Sequence, residues 1–252
     1  MSSLWSVIFT IARREVHGYF ASPVGWLVLF ACGLLQGIFF SVLIYDAGNP
    51  SYFGQNTDIN QVILPTFFST TLLFFLLLIP AISMNVFTEE YKDNRLVLLL
   101  ASPIPTIAIV LGKFLGIVAF ISVLLLSISH CIAVLSWLGT VHWSVVVLGT
   151  ITIFSASAVF AGIGMWCSAQ SKSPMLSLAL SVSCNMGLWM LGSIGDRYAS
   201  TSERIFALLS PSYHVRSLLD GLVSTETILY FPMCIAICLI ATHHSVEKIR
   251  WK

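Results

Sequence analysis

The chain has 252 residues, of which 57% are hydrophobic and only 9% are charged, and its mean hydropathy is +0.92. A soluble domain carries about 25% charged residues and about 45–50% apolar ones, so this composition excludes an ordinary soluble globular protein. The net charge of +1 arises from short clusters rather than a basic stripe, which argues against a nucleic-acid partner. The sequence therefore predicts an all-α polytopic membrane protein.

The first predicted element is an amphipathic helix over residues 3–20. Its more polar side carries Ser6, Thr10, Arg13 and His17, and its other side carries Trp5, Ile8, Ala12, Val16 and Tyr19. This pattern favours a helix lying in the membrane interface, in contact with lipid, until Ser22-Pro23 turns the chain into the bilayer. The alternative is a solvated N-terminal helix.

Six apolar segments follow, each long enough to cross a bilayer, since a spanning helix needs about 20 apolar residues. The charge-free stretch 114–171 is divided in two by the turn-like residues 138–143. The predicted spans are residues 23–45, 63–87, 107–137, 144–166, 174–194 and 227–244. One membrane domain, residues 1–252, therefore uses the entire chain.

The distribution of lysine and arginine predicts the orientation of these spans. If both termini are cytoplasmic, nine of the twelve basic residues lie in cytoplasmic segments and only Arg197, Arg204 and Arg216 lie outside. We therefore expect a multi-pass protein of the inner (cytoplasmic) membrane with cytoplasmic N- and C-termini. The outer segment 195–226 contains two short amphipathic pieces, 205–209 and 215–219, which are predicted to insert partly into the outer leaflet.

The most densely charged stretch of the chain lies between the second and third spans. Five charged residues fall within the seven positions from Glu89 to Arg95, in a predicted cytoplasmic segment at 88–105. The chain lacks a phosphate-binding loop, because Gly112-Lys113 is followed by Phe114 and no glycine lies five positions earlier. It is therefore not expected to bind nucleotide, and the absence of carboxylates from the predicted spans argues against an ion-coupled carrier. No catalytic residue and no cofactor of this chain is predicted.

The six cysteines lie in or at the ends of predicted spans without a C-x-x-C motif, which is typical of small buried hydrophobic residues. A soft-metal path is the alternative, because Cys184, Met186 and Met190 are close on one span and Cys131 follows His130. Nothing in the sequence completes a coordination sphere, so no metal ligand is predicted. His130 is either a hydrogen-bonded neutral imidazole or a functional group within a span.

Several short motifs occur in an order and spacing that identify a family. They are Arg14-Glu15 with Tyr19-Phe20-Ala21-Ser22-Pro23, Phe87-Thr88-Glu89-Glu90, Leu98-Leu99-Leu100-Ala101-Ser102-Pro103, Leu111-Gly112-Lys113, Leu209-Ser210-Pro211-Ser212-Tyr213-His214 with Gly221, and Tyr230-Phe231. Over nearly its full length the chain resembles permease subunits of ABC-2 type transporters. Within that family it is most similar to the gliding-motility-associated and nitrous-oxide-reductase-maturation permeases.

The resemblance implies a six-span, non-catalytic permease subunit, acting as an exporter, with an interfacial N-terminal helix and a cytoplasmic coupling helix between spans two and three. Two such subunits, identical or related, would dock two copies of a separate ATP-binding-cassette ATPase that holds ATP and Mg. The expected roles are ATPase coupling for Glu89, Glu90, Tyr91, Arg95 and Leu96, anchoring and partner contact for Arg13, Arg14 and Glu15, and an outer gate for Tyr213, His214 and Gly221.

One departure from the family pattern lies in the coupling segment. Related permeases often have Gly-Thr followed shortly by Glu, whereas this chain has Asn94-Arg95-Leu96-Val97. The docking surface is therefore expected to differ from that of its relatives. Two other functions stay open at this point: a membrane scaffold for a motility, secretion or maturation complex, and a metal-handling membrane protein.

Overall fold

The computed structural model describes residues 4–48, 59–92, 105–195 and 207–250. Within these ranges all regular structure is helical and no strand occurs, which confirms the all-α fold. The helices are α1 (Leu4–Ala21), α2 (Pro23–Ala47), α3 (Leu64–Ser83), α4 (Asn85–Lys92), α5 (Thr106–Leu126), α6 (Ser129–Leu138), α7 (Trp143–Gln170), α8 (Pro174–Gly195), α9 (Pro211–Leu219) and α10 (Thr225–Arg250). A single π-helical turn, Ile59–Ile63, leads into α3.

Among the described residues, six helical segments are long and apolar enough to cross a membrane, as the sequence predicts. They are Pro23–Ala47, Ile59–Tyr91, Thr106–Leu138, Trp143–Gln170, Pro174–Gly192 and Thr225–Lys248. The second combines α3 with α4 and the third combines α5 with α6. Consecutive spans run in alternate directions, so the bundle has two ends. We call the end where α1, α4 and the start of α5 meet the charged end, and the other the opposite end.

The second span continues as helix beyond residue 87, the end that the sequence predicts for it. Pro80 lies inside α3, which ends at Ser83. The span is interrupted at Met84 and continues from Asn85 as α4. Ser168 of α7 stabilises this interruption, because its hydroxyl donates to the Met84 carbonyl at 2.9 Å and accepts from the Phe87 amide at 3.1 Å. The predicted coupling segment therefore begins as an extension of the span, and its residues 93–104 lie outside the described ranges.

The third span is interrupted at Ser127 and Ile128, without any proline. Hydroxyl groups compete with the helix for its own carbonyls here, because Ser127 donates to Leu124 at 2.6 Å and Ser129 donates to Leu126 at 2.7 Å. The Ser127 amide donates both to the Leu124 carbonyl at 3.1 Å and to the Val123 carbonyl at 3.3 Å. A single predicted span thus becomes two helices, α5 and α6.

Helix α7 forms the centre of the bundle and contacts α3, α4, α5, α8, α9 and α10. In the most apolar 18-residue stretch of α7, 67% is buried, whereas the corresponding stretches of α2, α8 and α10 are 28%, 22% and 17% buried. Small residues permit this crowding: a Cβ added at Gly162 would lie 3.1 Å from the Cys238 Cβ of α10. Gly164 faces the hydroxyls of Ser83 on α3 and Ser181 on α8.

Helix α1 packs lengthwise against α5, with Ile8 and Ala12 buried between them. Gly112 and Gly116 of α5 make the approach possible, since a Cβ at Gly116 would lie 2.7 Å from the Cβ of Glu15. Trp5 on the predicted apolar side is 76% exposed. The contact with α5 therefore uses only part of the predicted apolar face and includes the charged Glu15.

Candidate functional site

Lys113 is an ionisable side chain buried inside a membrane-spanning helix. It lies about two turns after the start of α5 at Thr106 and is only 2% exposed. Its Nζ donates to Glu15 Oε1 at 3.0 Å and to the Val86 carbonyl at 2.8 Å, and it lies 2.8 Å from Glu90 Oε1. A buried ammonium is stable only when paired and hydrogen-bonded in this way.

The two carboxylates also share an arginine at the protein surface. Arg14, whose side chain is 58% exposed, places Nη2 3.2 Å from Glu15 Oε1 and 3.4 Å from Glu90 Oε1. Two cations and two anions thus form one cluster, which we call the charged cluster: Arg14, Glu15, Glu90 and Lys113. Because Arg14 and Glu15 belong to α1, Glu90 to α4 and Lys113 to α5, the cluster joins three helices.

The charged cluster depends on local features of each helix. Gly116 lets α1 lie close against α5. Lys113 lies three positions before Gly116 on the same face of α5, so the close approach brings Glu15 beside Lys113. The two hydrogen bonds of Ser168 attach the start of α4 to α7, and Glu90 follows Val86 by one helical turn, so both residues reach the same ammonium. Glu90 Oε2 is buried and has no hydrogen-bond partner among the described residues.

A comparison with protein families identifies the chain. Residues 9–242 match the family described as ABC-2 family transporter protein. The chain belongs to this ABC-2 transporter family. No curated protein matches its sequence. The match covers the first five spans, most of the sixth and all four residues of the charged cluster, so the protein is a membrane-spanning permease of the ABC-2 type, as the motifs predict. The match does not distinguish subgroups, and membership of the motility and maturation group stays a prediction.

In this ABC-2 permease, the residues predicted to couple to an ATPase differ in their accessibility. Glu89 is exposed and lines a crevice of about 150 Å³ together with Glu15, Tyr19 and Asn85. Burial raises the pKa of the Tyr19 hydroxyl, and the carboxylates of Glu15 and Glu89 raise it further, so this group stays protonated. Tyr91 donates its hydroxyl to the Ala169 carbonyl at the end of α7, at 3.3 Å.

The structure adds the surroundings of Lys113, one of the nine basic residues predicted on the cytoplasmic side. Lys113 is buried and holds Glu90, whose side chain is only 13% exposed, inside the bundle. Arg13 is exposed, while Arg95 and Leu96 lie outside the described residues. The motif Leu111-Gly112-Lys113 marks the position, but sequence alone does not reveal that Glu15 and Glu90 converge on it.

The residues predicted as an outer gate lie around α9 at the opposite end. His214 is 2% exposed, its Nε2 is 2.9 Å from the Leu208 carbonyl and its Nδ1 is 3.1 Å from the Thr227 hydroxyl. Its ring stacks on Tyr230 with centroids 4.1 Å apart. Burial lowers the pKa of His214, although the Leu208 carbonyl and the Glu226 charge act in the other direction.

The other two gate residues have different surroundings. Tyr213 is 41% exposed and makes an edge contact with the His214 ring at 5.5 Å. Gly221 follows α9 with φ of +80°, a left-handed conformation that glycine adopts without strain. The structure therefore brings Tyr213 and His214 together, and Gly221 lies just after the same helix. A gating role stays a prediction for all three.

The residues considered for metal handling do not converge. Among the described residues, no group of three or more His, Cys, Asp or Glu side chains is arranged to hold a metal ion. The His130 ring is exposed and lies 3.2 Å from Cys131 Sγ. Met186 and Met190 point outward, with 40% and 56% exposed, whereas Cys184 is half-buried. The family match favours transport over both the metal-handling and the scaffold alternatives.

Proposed function

We propose that this ABC-2 permease is the membrane half of an exporter driven by a separate ATP-binding-cassette ATPase, and that the charged cluster transmits the ATPase's motion to the spans. The observation that carries the proposal is the buried Lys113, which ties α1, α4 and α5 into one unit. ATP and Mg belong to the ATPase subunit in this scheme, and a second copy of the permease or a relative completes the membrane body.

The mechanism begins at α4. A partner that pushes on α4 or on the following residues, which include Arg95 and Leu96, displaces Glu90. Because Glu90 and Glu15 share the Lys113 ammonium, the displacement reaches α5 and α1 together. Packed helices that move as rigid bodies carry such a shift to the other side of the membrane without a flexible intermediate. Tyr91, bonded to Ala169, gives α4 a second attachment, to the central helix α7.

The docking surface in this proposal consists of the accessible charges at the charged end. Arg13, Arg14 and Glu89 are exposed, in contrast to Glu15 and Glu90. The excess of basic residues on this side supports a cytoplasmic location for the charged end, where an ATPase would be found. The interfacial position of α1 in the lipid is part of the same proposal, and the exposed Trp5 supports it.

The proposal is tested by purifying the tagged permease from its native membrane in mild detergent and identifying the bound proteins by mass spectrometry. The expected result is a stoichiometric ATPase with a phosphate-binding loop, together with a second permease chain of the same or a related sequence. Glu89→Lys is expected to abolish co-purification without changing the thermal stability of the permease, because Glu89 is exposed and has no ion pair among the described residues. Recovery of the intact permease without an ATPase would contradict the proposal.

The matched control is Glu90→Lys. This variant places a cation against Lys113 and Arg14, so it is expected to destabilise the permease itself. If both variants lose stability equally, Glu89 is not a docking residue but a structural one. If neither affects co-purification, the ATPase binds elsewhere.

A further inference from the structure

Helix α8 presents polar side chains to the protein and apolar ones to its surroundings. Ser177, Ser181 and Asn185 follow each other at four-residue intervals and are completely buried. The outward side carries Met175, Leu176, Leu180, Met186 and Met190, which are 40% to 81% exposed. Among the α8 side chains that the structure describes, no apolar one is buried. The contact of α8 with the bundle therefore differs from that of an ordinary apolar span.

Three of the four side-chain polar atoms on this face lack a hydrogen-bond partner among the described residues. Ser177 Oγ, Ser181 Oγ and Asn185 Oδ1 have no partner in the described part of the chain, nor do Ser157 Oγ and Ser171 Oγ on α7 and at its end. One bond crosses the contact, from Asn185 Nδ2 to the Phe160 carbonyl, and at 3.5 Å it is long. Unpartnered polar groups within a membrane carry a free-energy penalty that water would remove. In this position of α8 the unpartnered atoms are buried and have no access to water.

The two halves of α8 are held with different strength. Near the opposite end, Ser210 Oγ donates to the Leu188 carbonyl at 3.1 Å and Ser212 Oγ donates to the Trp189 carbonyl at 2.9 Å. The Trp189 ring also meets Phe160 of α7, with centroids 6.2 Å apart. Residues 174–185, toward the charged end, face the bundle mainly with the polar side chains that lack partners, together with the half-buried Cys184 and the long hydrogen bond from Asn185. The first half of α8 is therefore the part that separates most easily.

We propose that residues 174–185 of α8 swing away from α7 and α3, so that Ser177, Ser181 and Asn185 line a water-filled crevice open to the charged end. Trp189 and its neighbours act as the pivot. Hydration supplies the missing partners of all three side chains, as ordered water does for buried polar groups elsewhere. Helix α4 contacts α8 as well as α7, so a shift of α4 reaches this half of α8 directly. The crevice extends the proposed transport function, but its detection requires no ATPase.

The experiment compares the reactivity of single introduced cysteines in the full chain, reconstituted alone in lipid vesicles. The probe is a charged methanethiosulfonate, which reacts with thiolates in water, and mass spectrometry of the modified peptides separates each introduced cysteine from the native ones. Ser177→Cys and Ser181→Cys are the reporters. The control is Leu180→Cys, which is 42% exposed but faces the lipid. Residue 181 lies deeper than residue 180, so depth alone cannot explain faster labelling of the former.

The expected order of labelling rates is opposite to the order of exposed fractions in the structure. Both buried cysteines are expected to react about tenfold faster than Leu180→Cys, since only a hydrated thiol forms the thiolate readily. Labelling of both buried cysteines no faster than the lipid-facing control would overturn the proposal. Because the permease is alone in the vesicles, this outcome is independent of whether an ATPase co-purifies with it. The labelling result can therefore be interpreted even if no ATPase co-purifies, and the co-purification result can be interpreted even if no crevice is detected.

A second variant tests the same opening by another route. Gly164→Ala adds a methyl group against the Ser83 hydroxyl and 3.0 Å from the Ser181 hydroxyl, which weakens the closed contact between α8 and its neighbours. In the Ser177→Cys background it is expected to raise the labelling rate several-fold. Gly187→Ala on α8 meets nothing within 4 Å and is the matched control, expected to leave the rate unchanged. Equal rates in the two alanine variants would contradict an opening at this contact.

Discussion

Lys113 is a cation that the fold removes from water and surrounds with two carboxylates, a backbone carbonyl and the face of Phe87 at 5.2 Å. Burying an isolated charge is strongly unfavourable, so such a residue is retained only where its partners are fixed. Glu15 and Glu90 depend on Lys113 in turn, since each is mostly enclosed. The stability of the charged end therefore depends on a few side chains.

Replacing Lys113 by methionine is expected to destabilise the permease by about 3–5 kcal/mol, because two enclosed carboxylates lose their shared cation. Thermal unfolding in detergent measures the change. Lys172→Met is the control, since Lys172 is exposed, and its unfolding temperature is expected to match the wild type. The exchanged pair Glu90→Lys with Lys113→Glu should recover part of the loss seen in either single variant. Unchanged stability of Lys113→Met would contradict the structural role of the cluster.

His214 gives the opposite end a dependence on pH. Burial lowers its pKa in the folded protein, whereas unfolding returns the imidazole to its ordinary value of 6.5. As the pH falls below that value, the unfolded chain takes up a proton that the folded chain does not, so stability decreases. The decrease ends when the pH reaches the lowered pKa of the folded state. Unfolding temperatures measured from about pH 7.5 down to about pH 5 should follow this course.

The control for this pH dependence is His214→Gln, which keeps a hydrogen-bonding side chain but does not titrate. It is expected to remove the His214 contribution while the remaining pH dependence of the permease persists. The charged neighbour that acts on His214 is Glu226, and its other close partners, Thr227 and Tyr230, are neutral. An identical pH profile for wild type and His214→Gln would contradict the assignment.

Between elements, the contact of α1 with α5 depends on the absence of side chains at Gly112 and Gly116. The close approach places Ile11 and Glu15 of α1 directly over these glycines. Apolar attraction between helices contributes little where lipid is the alternative neighbour, so fit and polar contacts decide which helices associate. The two glycines therefore favour the association of α1 with α5, because they allow the close fit between the helices.

Gly116→Ala is expected to destabilise the permease by about 1–3 kcal/mol, because the new methyl group lies 2.7 Å from the Glu15 Cβ and pushes α1 away from Lys113. Thermal unfolding measures the loss. Gly37→Ala on α2 is the matched control, since nothing lies within 4 Å of its added Cβ, and no loss of stability is expected there. Similar unfolding temperatures for the two variants would mean that α1 does not need the close approach.

At the scale of the whole molecule, the six spans among the described residues, an even number, lead us to expect the two termini on the same side of the membrane. We expect that side to be the cytoplasm, because of the distribution of basic residues. Green fluorescent protein fused after Lys252 should fluoresce, and alkaline phosphatase inserted near residue 53 should be active. The exchanged fusions, phosphatase at the C-terminus and fluorescent protein near residue 53, serve as controls and should be inactive. The reverse pattern would place the charged end outside and contradict the proposed docking surface.

Much of the architecture is predictable because hydropathy acts over whole segments. Pro23–Ala47 and Trp143–Gln170 are visible as apolar runs of sufficient length, and the family motifs near Glu89 and Tyr213 are local sequence features. The interruptions at Met84 and Ser127 are harder to predict, because they depend on which hydroxyl bonds to which carbonyl. The polar inward face of α8 follows a helical period, but a period does not reveal which side faces protein.

The sequence by itself determined the class of this protein, its six spans, its family and the concentration of charge beside the second span, because composition and motif order are properties of the chain alone. Only the tertiary structure decided that Lys113 is enclosed and that Glu15 and Glu90, separated by more than seventy positions, share it. It also decided that α8 buries Ser177, Ser181 and Asn185. The physical reason is that a charge or a hydroxyl in a membrane helix has no defined environment until neighbouring helices pack against it and either supply a partner or withhold one.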